Sequence, residues 1–357
     1  TIGGLMIKSE NWQALNLLER KYEETIECVY IDPPYNTGSS KIFYKNNYEH
    51  SSWLGLMQDR LFKIKKFLVE GGICEVAIDD YEIQRLWFLL DCIFESSNRL
   101  ATIPVLHNPG GRHDDKFIAT AHEYFFVYTK NRNEAKTSNL KLSDENIRTF
   151  KFKDEKDLYR LREFRRSGSH STRIDRPNLY YPIYFNPKNG EISVDEKSSG
   201  MIEILPIDPK GIERVWRWGK DTLRKKINYL LIQQKNQEYV VKLKAYLEDK
   251  EGIKPKSLWK ESKYAAALGT TLLKEIIGNS NLFSYPKSLD LVKDAIFIGS
   301  DELSTICDFF AGSGTTAHAV IELNREDGGL RKYILVEMAD YFDTIMKPRI
   351  QKVVYSS

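Results

Sequence analysis

Residues 308–316 read DFFAGSGTT and carry the strongest fold signal in this chain of 357 residues. The apolar run from Thr305 to Phe310 predicts a buried strand, and the pattern from Thr315 to Leu323 predicts a helix, so both glycines fall in the turn between them. Glycine lets a ligand approach the backbone closely, and ligands of open α/β sheets bind at the carboxyl ends of strands. The stretch therefore predicts an α/β sheet with a cofactor site, although close packing of helix on sheet would use the same glycines.

The spacing of this turn narrows the choice of cofactor. It lacks the G-x-G-x-x-G spacing of dinucleotide folds, and no Gly-Lys-Ser/Thr follows to hold a β-phosphate, so NAD and nucleoside triphosphates are disfavoured. Glu337 ends the next predicted strand, 29 residues after Asp308 (337 − 308). The acid that binds ribose in Rossmann-type sheets has a comparable place, at an interval of about 20 residues. A solvated carboxylate at a strand end is the alternative for Glu337.

A second motif, DPPY at residues 32–35, directly follows the apolar run Cys28 to Ile31. Two prolines fix φ and supply no N–H, so the carbonyls and the Asp32 carboxylate form a rigid group of acceptors. Such a group suits an amino group, and Tyr35 offers a flat face for a planar ring. A proline-rich turn capped by Asp is the alternative.

Strand and helix signals alternate around both motifs. Residues 73–78 and 124–128 are apolar runs typical of buried strands, while helical spacing extends from Trp53 to Leu68, ending at Gly71-Gly72, and from Ile83 to Ile93. The alternation predicts a parallel sheet covered by helices on both faces.

The composition of the sequence changes after Lys130, where polar and charged residues become more frequent. Residues 159–176 carry six arginines against two acids, a local balance of +4, and short strands are predicted at 180–185 and 202–205, followed by a long helix from about Asp221 to Glu248. We therefore predict a catalytic domain in two parts, 1–135 and 266–357, interrupted by an inserted domain, 136–265.

Composition is ordinary for a globular protein, with 41% hydrophobic and 29% charged residues and a net charge of +3. No apolar run approaches the roughly 18 residues of a membrane-spanning helix, and no export signal opens the chain, so a cytoplasmic protein is expected. Four separate cysteines without a C-x-x-C pair are expected to be reduced core residues, with no metal site.

In combination, the motifs resemble those of DNA amino-methyltransferases that use S-adenosylmethionine (SAM). DPPY resembles their catalytic motif and F-x-G-x-G, residues 310–314, their SAM motif, in the permuted order of the beta class. The resemblance is strongest to the modification subunits of type III restriction systems, through Asn36-Thr37-Gly38, residues 50–54, His122-Glu123-Tyr124, Pro286-Lys287-Ser288 and residues 324–329. Because those subunits are usually longer and this chain begins at Thr1, a trimmed piece or a compact relative is expected.

The resemblance implies a fold and a catalytic site. The fold would be a Rossmann-like SAM-dependent methyltransferase sheet with an inserted α+β target recognition domain. Asp32 and the Pro33 carbonyl would accept hydrogen bonds from the exocyclic amine of a flipped base, beside Pro34, and Tyr35 would stack on that base. Phe125 would border the flipped base, unless it is a core strand residue.

The resemblance also implies cofactor and DNA contacts. Glu337 would bind the ribose hydroxyls, and Lys287 with Ser288 the methionine carboxylate. The remaining expected cofactor residues are Asp308, Phe310, Gly312, Gly314, Thr315 and, near the adenine ring, Glu10 or Asn11. The expected DNA contacts are Arg160, Arg162, Arg165, Arg166, Arg173 and Arg176, with Tyr180, Tyr181, Trp216 and Trp218 as wedges or stacking groups, unless these are surface arginines and core aromatics.

The predicted activity is site-specific methylation of adenine N6 in double-stranded DNA. The acid at the first motif position favours adenine, because cytosine-N4 enzymes resembling this chain more often carry Ser there. Methylation of cytosine N4 and a non-catalytic DNA recognition subunit are the alternatives. A homodimer and a restriction subunit with nuclease and helicase activity are left open as partners in a prokaryotic cell.

Overall fold

The structure, a computed structural model, describes residues 3–37, 49–236, 238–278, 283 and 285–356. Gly38, part of the predicted motif region, lies outside the described residues. The chain divides into a first unit, residues 1–140 with 254–357, and a second unit, residues 141–253.

Fourteen strands and nine α-helices lie within the described residues. The strands are β1 (Gly4–Lys8), β2 (Ile26–Ile31), β3 (Leu68–Ile78), β4 (Arg99–Val105), β5 (Glu123–Thr129), β6 (Phe152–Lys153), β7 (Leu158–Glu163), β8 (Ile183–Phe185), β9 (Ile192–Ser193), β10 (Ile202–Ile204), β11 (Leu230–Lys235), β12 (Glu238–Tyr246), β13 (Thr305–Asp308) and β14 (Lys332–Glu337). The helices are α1 (Asn11–Tyr22), α2 (His50–Phe67), α3 (Ile83–Phe94), α4 (Asp144–Ile147), α5 (Lys220–Lys225), α6 (Ala266–Ile277), α7 (Leu289–Gly299), α8 (Thr315–Asp327) and α9 (Lys347–Tyr355).

The first unit is built on one seven-stranded sheet in the order β1-β14-β13-β2-β3-β5-β4. All neighbouring pairs are parallel except those that β5 makes with β3 and β4. No helix lies between β4 and β5 in the chain, and a parallel return would need such a crossover, so β5 runs antiparallel. The predicted α/β class is confirmed, with this one reversed strand.

Two apolar clusters cover the faces of this sheet. Successive residues of β2 point to opposite faces, and Cys28 and Tyr30 join the cluster of α7 and α8, while Val29 and Ile31 join that of α1, α2 and α3. All four residues are buried, which explains why β2 reads as a continuous apolar run. The helix that precedes β3 ends at Phe67 rather than at Gly71-Gly72, and both glycines lie inside β3.

The second unit contains two small antiparallel sheets, β10-β8-β9 and β11-β12-β7-β6. The predicted long helix from Asp221 to Glu248 is wrong, because the α-helix there covers only Lys220–Lys225 and, after a short 3-10 turn at Ile227–Tyr229, a hairpin of β11 and β12 follows. Val241 and Leu243 are buried and alternate with lysines, a two-residue period that the helical prediction overlooked.

The boundary after the second unit lies earlier in the chain than the predicted 265/266. The segment that follows Ile253 joins the first unit, because the Trp259 N–H donates to the Pro104 carbonyl (3.0 Å) and the Trp259 carbonyl accepts from Leu106 N–H (2.8 Å). The Trp259 ring is buried and stacks on Tyr264 with centroids 5.2 Å apart.

Two sequence expectations about composition have structural counterparts. Cys28, Cys74 and Cys307 are free and buried, whereas Cys92 is exposed on α3, so the prediction of four core cysteines fails at that position. Among the described residues, no helix is long and apolar enough to span a membrane.

Candidate active site

The DPPY turn is held by groups from distant parts of the first unit. The Trp53 indole N–H at the start of α2 donates to the Pro34 carbonyl at 2.8 Å. Asn36 follows with φ of 59° and donates from Nδ2 to Glu82 Oε1 at 2.7 Å. The same oxygen lies 2.7 Å from His50 Nδ1, so Glu82, which is fully buried, anchors the chain directly after Tyr35.

These contacts leave specific acceptors at the turn. With Pro34 bonded to Trp53, the Pro33 carbonyl makes no hydrogen bond to the described part of the chain. Asp32 Oδ1 lies 3.3 Å from Lys287 Nζ, and its side chain keeps 27% of its surface exposed. The predicted acceptors, the Asp32 carboxylate and the Pro33 carbonyl, thus lie together at the end of β2.

Tyr35 is fixed by a buried ion pair. Its hydroxyl donates to Glu123 Oε2 at 2.8 Å and accepts from Lys287 Nζ, which also lies 2.5 Å from Glu123 Oε2. Nζ is 4.8 Å from the ring centroid of Tyr35, so the lysine sits at the hydroxyl end of the ring. Lys287, predicted as a cofactor residue, is therefore placed against the DPPY motif.

The charges of this cluster differ in their response to burial. Burial raises the pKa of Asp32, and the Lys287 ammonium only partly opposes this rise. Burial would also raise the pKa of Glu123, but Lys287 holds it below its ordinary value. Burial would lower the pKa of Lys287, yet Asp32 and Glu123 together keep it above its ordinary value. Lys287 thus stays charged and favours the ionised form of Glu123 more than that of Asp32.

The Gly-rich turn is braced by the acid that precedes it. Asp308 accepts a hydrogen bond from Phe310 N–H at 3.0 Å and another from the Thr316 hydroxyl at 2.5 Å. Burial raises the pKa of Asp308 to about 7, although both bonds oppose the rise. Asp308, a predicted cofactor residue, therefore has both oxygens engaged within the turn.

Both glycines of the turn adopt left-handed conformations, with φ of 52° at Gly312 and 79° at Gly314. A Cβ on Gly314 would lie 2.8 Å from Met346 Cγ, so this glycine serves helix packing, the alternative left open by the sequence. A Cβ on Gly312 would lie 3.2 Å from the ring of Phe283. The backbone of Gly312 instead contacts the predicted ribose acid.

Glu337, at the end of β14, is buried and bonded to three backbone N–H groups. It accepts from Gly312 at 2.9 Å, from Met338 at 2.8 Å and from Ala339 at 3.0 Å. Burial raises its pKa, and these hydrogen bonds oppose the rise. The structure thus ties the predicted ribose acid directly to the Gly-rich turn.

The start of α1 also reaches this turn. Asn11 Nδ2 donates to the Phe309 carbonyl at 3.1 Å, beside the predicted cofactor residue Phe310, which is buried. Arg60 bonds Asn11 Oδ1 at 2.5 Å and Glu10 Oε1 at 2.6 Å. Sequence reasoning missed Arg60, since nothing in its helical setting marks a partner 49 residues away.

Two other predicted cofactor residues have structural partners. Ser288 caps α7 and donates to the Lys263 carbonyl at 2.6 Å. Thr315 accepts a hydrogen bond at 2.9 Å from Arg349, which is fully buried. Sequence reasoning missed Arg349, whose surroundings in the chain carry no motif.

In the second unit, the predicted DNA contacts fall into two groups. Arg173 pairs with Glu213 at 3.1 Å, Arg160 donates to the Thr149 hydroxyl, and Arg165 donates to a backbone carbonyl. Within the described part of the unit, no carboxylate forms an ion pair with the other three, Arg162, Arg166 and Arg176.

Arg217 is an additional arginine of this surface that the sequence analysis missed. Burial lowers its pKa, the nearby charges of Arg162 and Arg166 lower it further, and the Glu163 carboxylate opposes them; the Arg217 Nε donates to the Glu163 carbonyl at 2.7 Å. Three guanidinium groups therefore lie close together on the second unit. Like charges gathered in this way favour binding of an anion such as phosphate.

The aromatic residues proposed as wedges have other roles. Tyr181 and Trp216 are buried in the core of the second unit, and the Trp216 indole donates to the Tyr181 carbonyl at 2.7 Å. Trp218 packs edge-on against Phe164, while Tyr180 bonds Glu213. In the first unit, Phe125 is also a core residue, stacked obliquely on Trp259. The core alternative holds for Tyr181, Trp216 and Phe125.

The fold, with its Gly-rich turn and its DPPY turn at the ends of neighbouring strands, defines a class of protein, the Rossmann-like methyltransferases. The chain belongs to the DNA methylase family, which matches residues 26–347. It is 38% identical to the type II methyltransferase M.KpnI of Klebsiella pneumoniae, over 92% of this chain and 79% of the relative. It is 30% identical to the EcoPI Mod subunit, a type III restriction-modification enzyme of Escherichia phage P1, over 93% of this chain and 57% of that subunit.

A solved structure shares the fold at low identity. The PvuII DNA methyltransferase, specific for cytosine N4, has a TM-score of 0.50 and 14% identity, over 99% of this chain and 91% of that one. Family membership confirms the predicted enzyme class, a DNA methyltransferase, and its cofactor, SAM.

The residues present fit this cofactor chemically. SAM offers ribose hydroxyls and a cationic sulfonium, and the carboxylates of Glu337 and Asp32 lie at strand ends on either side of Asp308 within the first unit. Asp32 and Glu337 both lie close enough to Asp308 to raise its pKa, so the acids are gathered on one edge of the sheet. Such an edge favours hydroxyl donors and a positive charge.

Proposed function

We propose that this chain is a site-specific DNA methyltransferase that acts on the N6 amine of an adenine flipped out of duplex DNA. The adjacency of the two turns carries the proposal. β13, which leads into the Gly-rich turn, pairs directly with β2, which leads into DPPY. A methyl donor at the first turn and an amine at the second would therefore meet at one edge of the sheet.

Positioning of the amine is the catalytic work of the DPPY turn. Asp32 and the Pro33 carbonyl accept hydrogen bonds from the two amine hydrogens, which draws the nitrogen away from planarity and frees its lone pair for in-line attack. The new N–C bond would form as the S–C bond of the donor breaks, and the methylated amine would then release one proton to solvent. The Tyr35 ring stacks on the base, and its orientation is set by the hydroxyl bonds to Glu123 and Lys287.

Cofactor binding falls to the neighbouring turn. When bound, SAM supplies an electrophilic methyl group. Gly312 leaves its backbone accessible, Glu337 accepts the ribose hydroxyls, and Phe310 and Glu10 with Asn11 flank the adenine ring. Ser288 and Thr315 act by fixing the start of α7 and α8.

Recognition of DNA is assigned to the second unit. Arg162 and Arg166 bind phosphates, since no carboxylate forms an ion pair with them within the described unit, and Arg176 and the neighbouring Arg217 add further cations. Arg160, Arg165 and Arg173 are held by contacts within the unit and stabilise the structure of this surface.

Adenine is favoured over cytosine by the first residue of the motif. An ionised Asp32 gives a charge-assisted hydrogen bond that a hydroxyl does not match, and a purine gains more than a pyrimidine by stacking on Tyr35. The PvuII enzyme shares only the fold, so its cytosine specificity does not decide the base.

Partners beyond DNA follow from the named relatives. EcoPI Mod is a subunit of a type III restriction-modification enzyme, and this chain spans about half of the length of that relative and of the StyLTI Mod subunit. A restriction subunit and a second copy of this chain are accordingly the proposed partners, in a prokaryotic cytoplasm. Sizing of the purified protein, alone and with a type III restriction subunit, measures both associations.

The test is mass spectrometry of nucleosides after the protein is incubated with duplex DNA and SAM carrying an isotopic methyl label. The expected product is labelled N6-methyladenine. Asp32→Ala should slow incorporation of the label by about 10²- to 10³-fold, while Asp59→Asn, which changes an exposed aspartate on α2, should leave it unchanged. Label only in N4-methylcytosine would replace the base, and no label in any nucleoside would overturn the proposal.

A further inference from the structure

Glu123 was not among the predicted site residues, yet it makes the central contact of the catalytic cluster. Its side chain is 4% exposed and lies at the start of β5, the one antiparallel strand of the sheet. Its Oε2 atom receives hydrogen bonds from both Tyr35 and Lys287. A buried carboxylate at this place affects how Lys287 pairs with the acids around it.

One ammonium group serves two carboxylates in this cluster. Lys287 Nζ is 2.5 Å from Glu123 Oε2 and 3.3 Å from Asp32 Oδ1, so the pairing is unequal. With both acids ionised and Lys287 protonated, the three side chains carry a net charge of −1. The shorter and more buried pair involves Glu123, which leaves the surplus charge on the more exposed Asp32.

We propose that Glu123 is a positioning residue, which keeps Lys287 as its own partner and so leaves the lone pairs of the Asp32 carboxylate available to the amine of the target base. The inference rests on the proposed function, because it assigns that role to Asp32. The same pair also orients Tyr35 through its hydroxyl, so acceptor and stacking ring are set together.

Without Glu123, Lys287 would move fully to Asp32. A close ion pair would offset the charge of the acceptor and occupy the lone pairs that the amine needs. The amine nitrogen becomes positive as it is methylated, and an ionised Asp32 without a close cation stabilises that charge more than one paired with Lys287 does.

The groups that face Asp32 predict opposite responses to two substitutions. Burial is the main cause of the raised pKa of Asp32. The charge of Lys287 opposes this rise, and the charge of Glu123 adds to it. Removing Glu123 should therefore lower the pKa of Asp32, and removing Lys287 should raise it. The other titratable groups nearby remain unchanged in both variants: Tyr30 on β2, Tyr35 in the turn and Asp308 at the end of β13, with Asp79 and His107 close to Lys287.

The direct test is a carbon-13 NMR titration of the aspartate carboxyl groups, with Asp32→Asn used to assign the resonance. Glu123→Gln should lower the pKa of Asp32, Lys287→Met should raise it by about one unit or more, and the double variant should fall between them. Lys293→Met is the matched control. It removes a lysine of α7 that pairs with Glu326 of α8, and it should leave the pKa of Asp32 unchanged. Shifts in the same direction for the two variants, or none, would overturn the inference.

Two further measurements separate this role from a structural one. Glu123→Asp and Lys287→Arg keep the charges and should retain the Asp32 titration within about half a unit, which guards against variants that fail to fold. By calorimetry, Lys287→Met should bind SAM within about threefold of the wild-type affinity. A loss of more than about tenfold, with the Asp32 titration unshifted, would place Lys287 at the methionine carboxylate instead.

Failure of the proposed function would look different. In that case the wild-type protein transfers no methyl group to DNA, and the Asp32 titration, which needs neither DNA nor SAM, still decides the inference. If the function holds, the acid limb of the single-turnover rate should move to lower pH in Glu123→Gln and to higher pH in Lys287→Met.

Discussion

The Gly-rich turn and the DPPY turn lie on neighbouring strands of one sheet but are held in different ways. Asp308 bonds partners two and eight residues away, at Phe310 and Thr316. The DPPY turn depends on Trp53, on Glu82 through Asn36, and on Glu123 and Lys287, the last 252 residues from Tyr35.

The two turns therefore differ in what nearby residues of the chain can set, which is the shape of the Gly-rich turn but not the charge at the DPPY turn. The bonds of Asp308 shape the Gly-rich turn within a short stretch of sequence, and Glu337 and Asn11 add longer-range contacts to it. The charge at the DPPY turn depends on a lysine and a glutamate that only the folded sheet brings there. Substitutions in the two turns should therefore damage different steps.

The largest effect is expected at Asp32. Asp32→Ala should lower the methyl-transfer rate by about 10²- to 10³-fold, because one preorganised acceptor is lost, with SAM affinity nearly unchanged. Single-turnover kinetics and calorimetry on the same preparation measure both quantities. Equal losses in rate and in SAM affinity would mean that the two turns are not separable.

A smaller effect, and on the other step, is expected at Gly312. Gly312→Val should weaken SAM binding by about 10- to 100-fold, since a β-branched residue at φ of 52° costs roughly 1–3 kcal/mol and its Cβ approaches Phe283. Gly328→Val is the control, because φ there is 74° with open space around the Cβ position. Calorimetric titration with SAM should show the loss in the first variant alone.

The stability of the Gly-rich turn should depend on pH through Asp308. Its folded pKa of about 7 is above the ordinary value of 3.8, so the stabilisation is fully present below that ordinary value and is lost as pH rises towards 7. Asp308→Asn should remove roughly 1 kcal/mol or more of this dependence. Urea unfolding at pH 5 and pH 8 measures it, and an equal pH dependence in both proteins would contradict the assigned burial.

The smallest effect concerns the second unit, which contains neither turn. Replacing Arg162 and Arg166 by alanine should reduce the slope of log affinity against log salt by up to about 2, with little change in catalysis on saturating DNA. Arg173→Ala, which removes a cation already paired with Glu213, should change the slope less. Fluorescence anisotropy over a salt series compares the variants. A slope equal to that of the wild-type protein would mean that Arg162 and Arg166 are ordinary solvated surface residues.

Features that depend on neighbouring residues in the chain were predicted from the sequence, and features that depend on distant contacts were not. The strands around both motifs were found because their residues are buried on both faces and read as apolar runs. The hairpin of β11 and β12 was missed, since its alternation of Val241 and Leu243 with lysines is only half apolar and competes with a helical pattern. Trp259 was assigned to the inserted domain because nothing local reveals that it pairs beside β4.

By itself the sequence determined the α/β class, the two turns and the family, because glycine, proline and acid spacing act over a few residues. Only the tertiary structure decided which groups surround Asp32. Lys287 was predicted for the cofactor and is placed against the catalytic motif, where Glu123 holds it. Electrostatic interactions in a buried site act through space rather than along the chain, so their partners appear only once the strands are assembled.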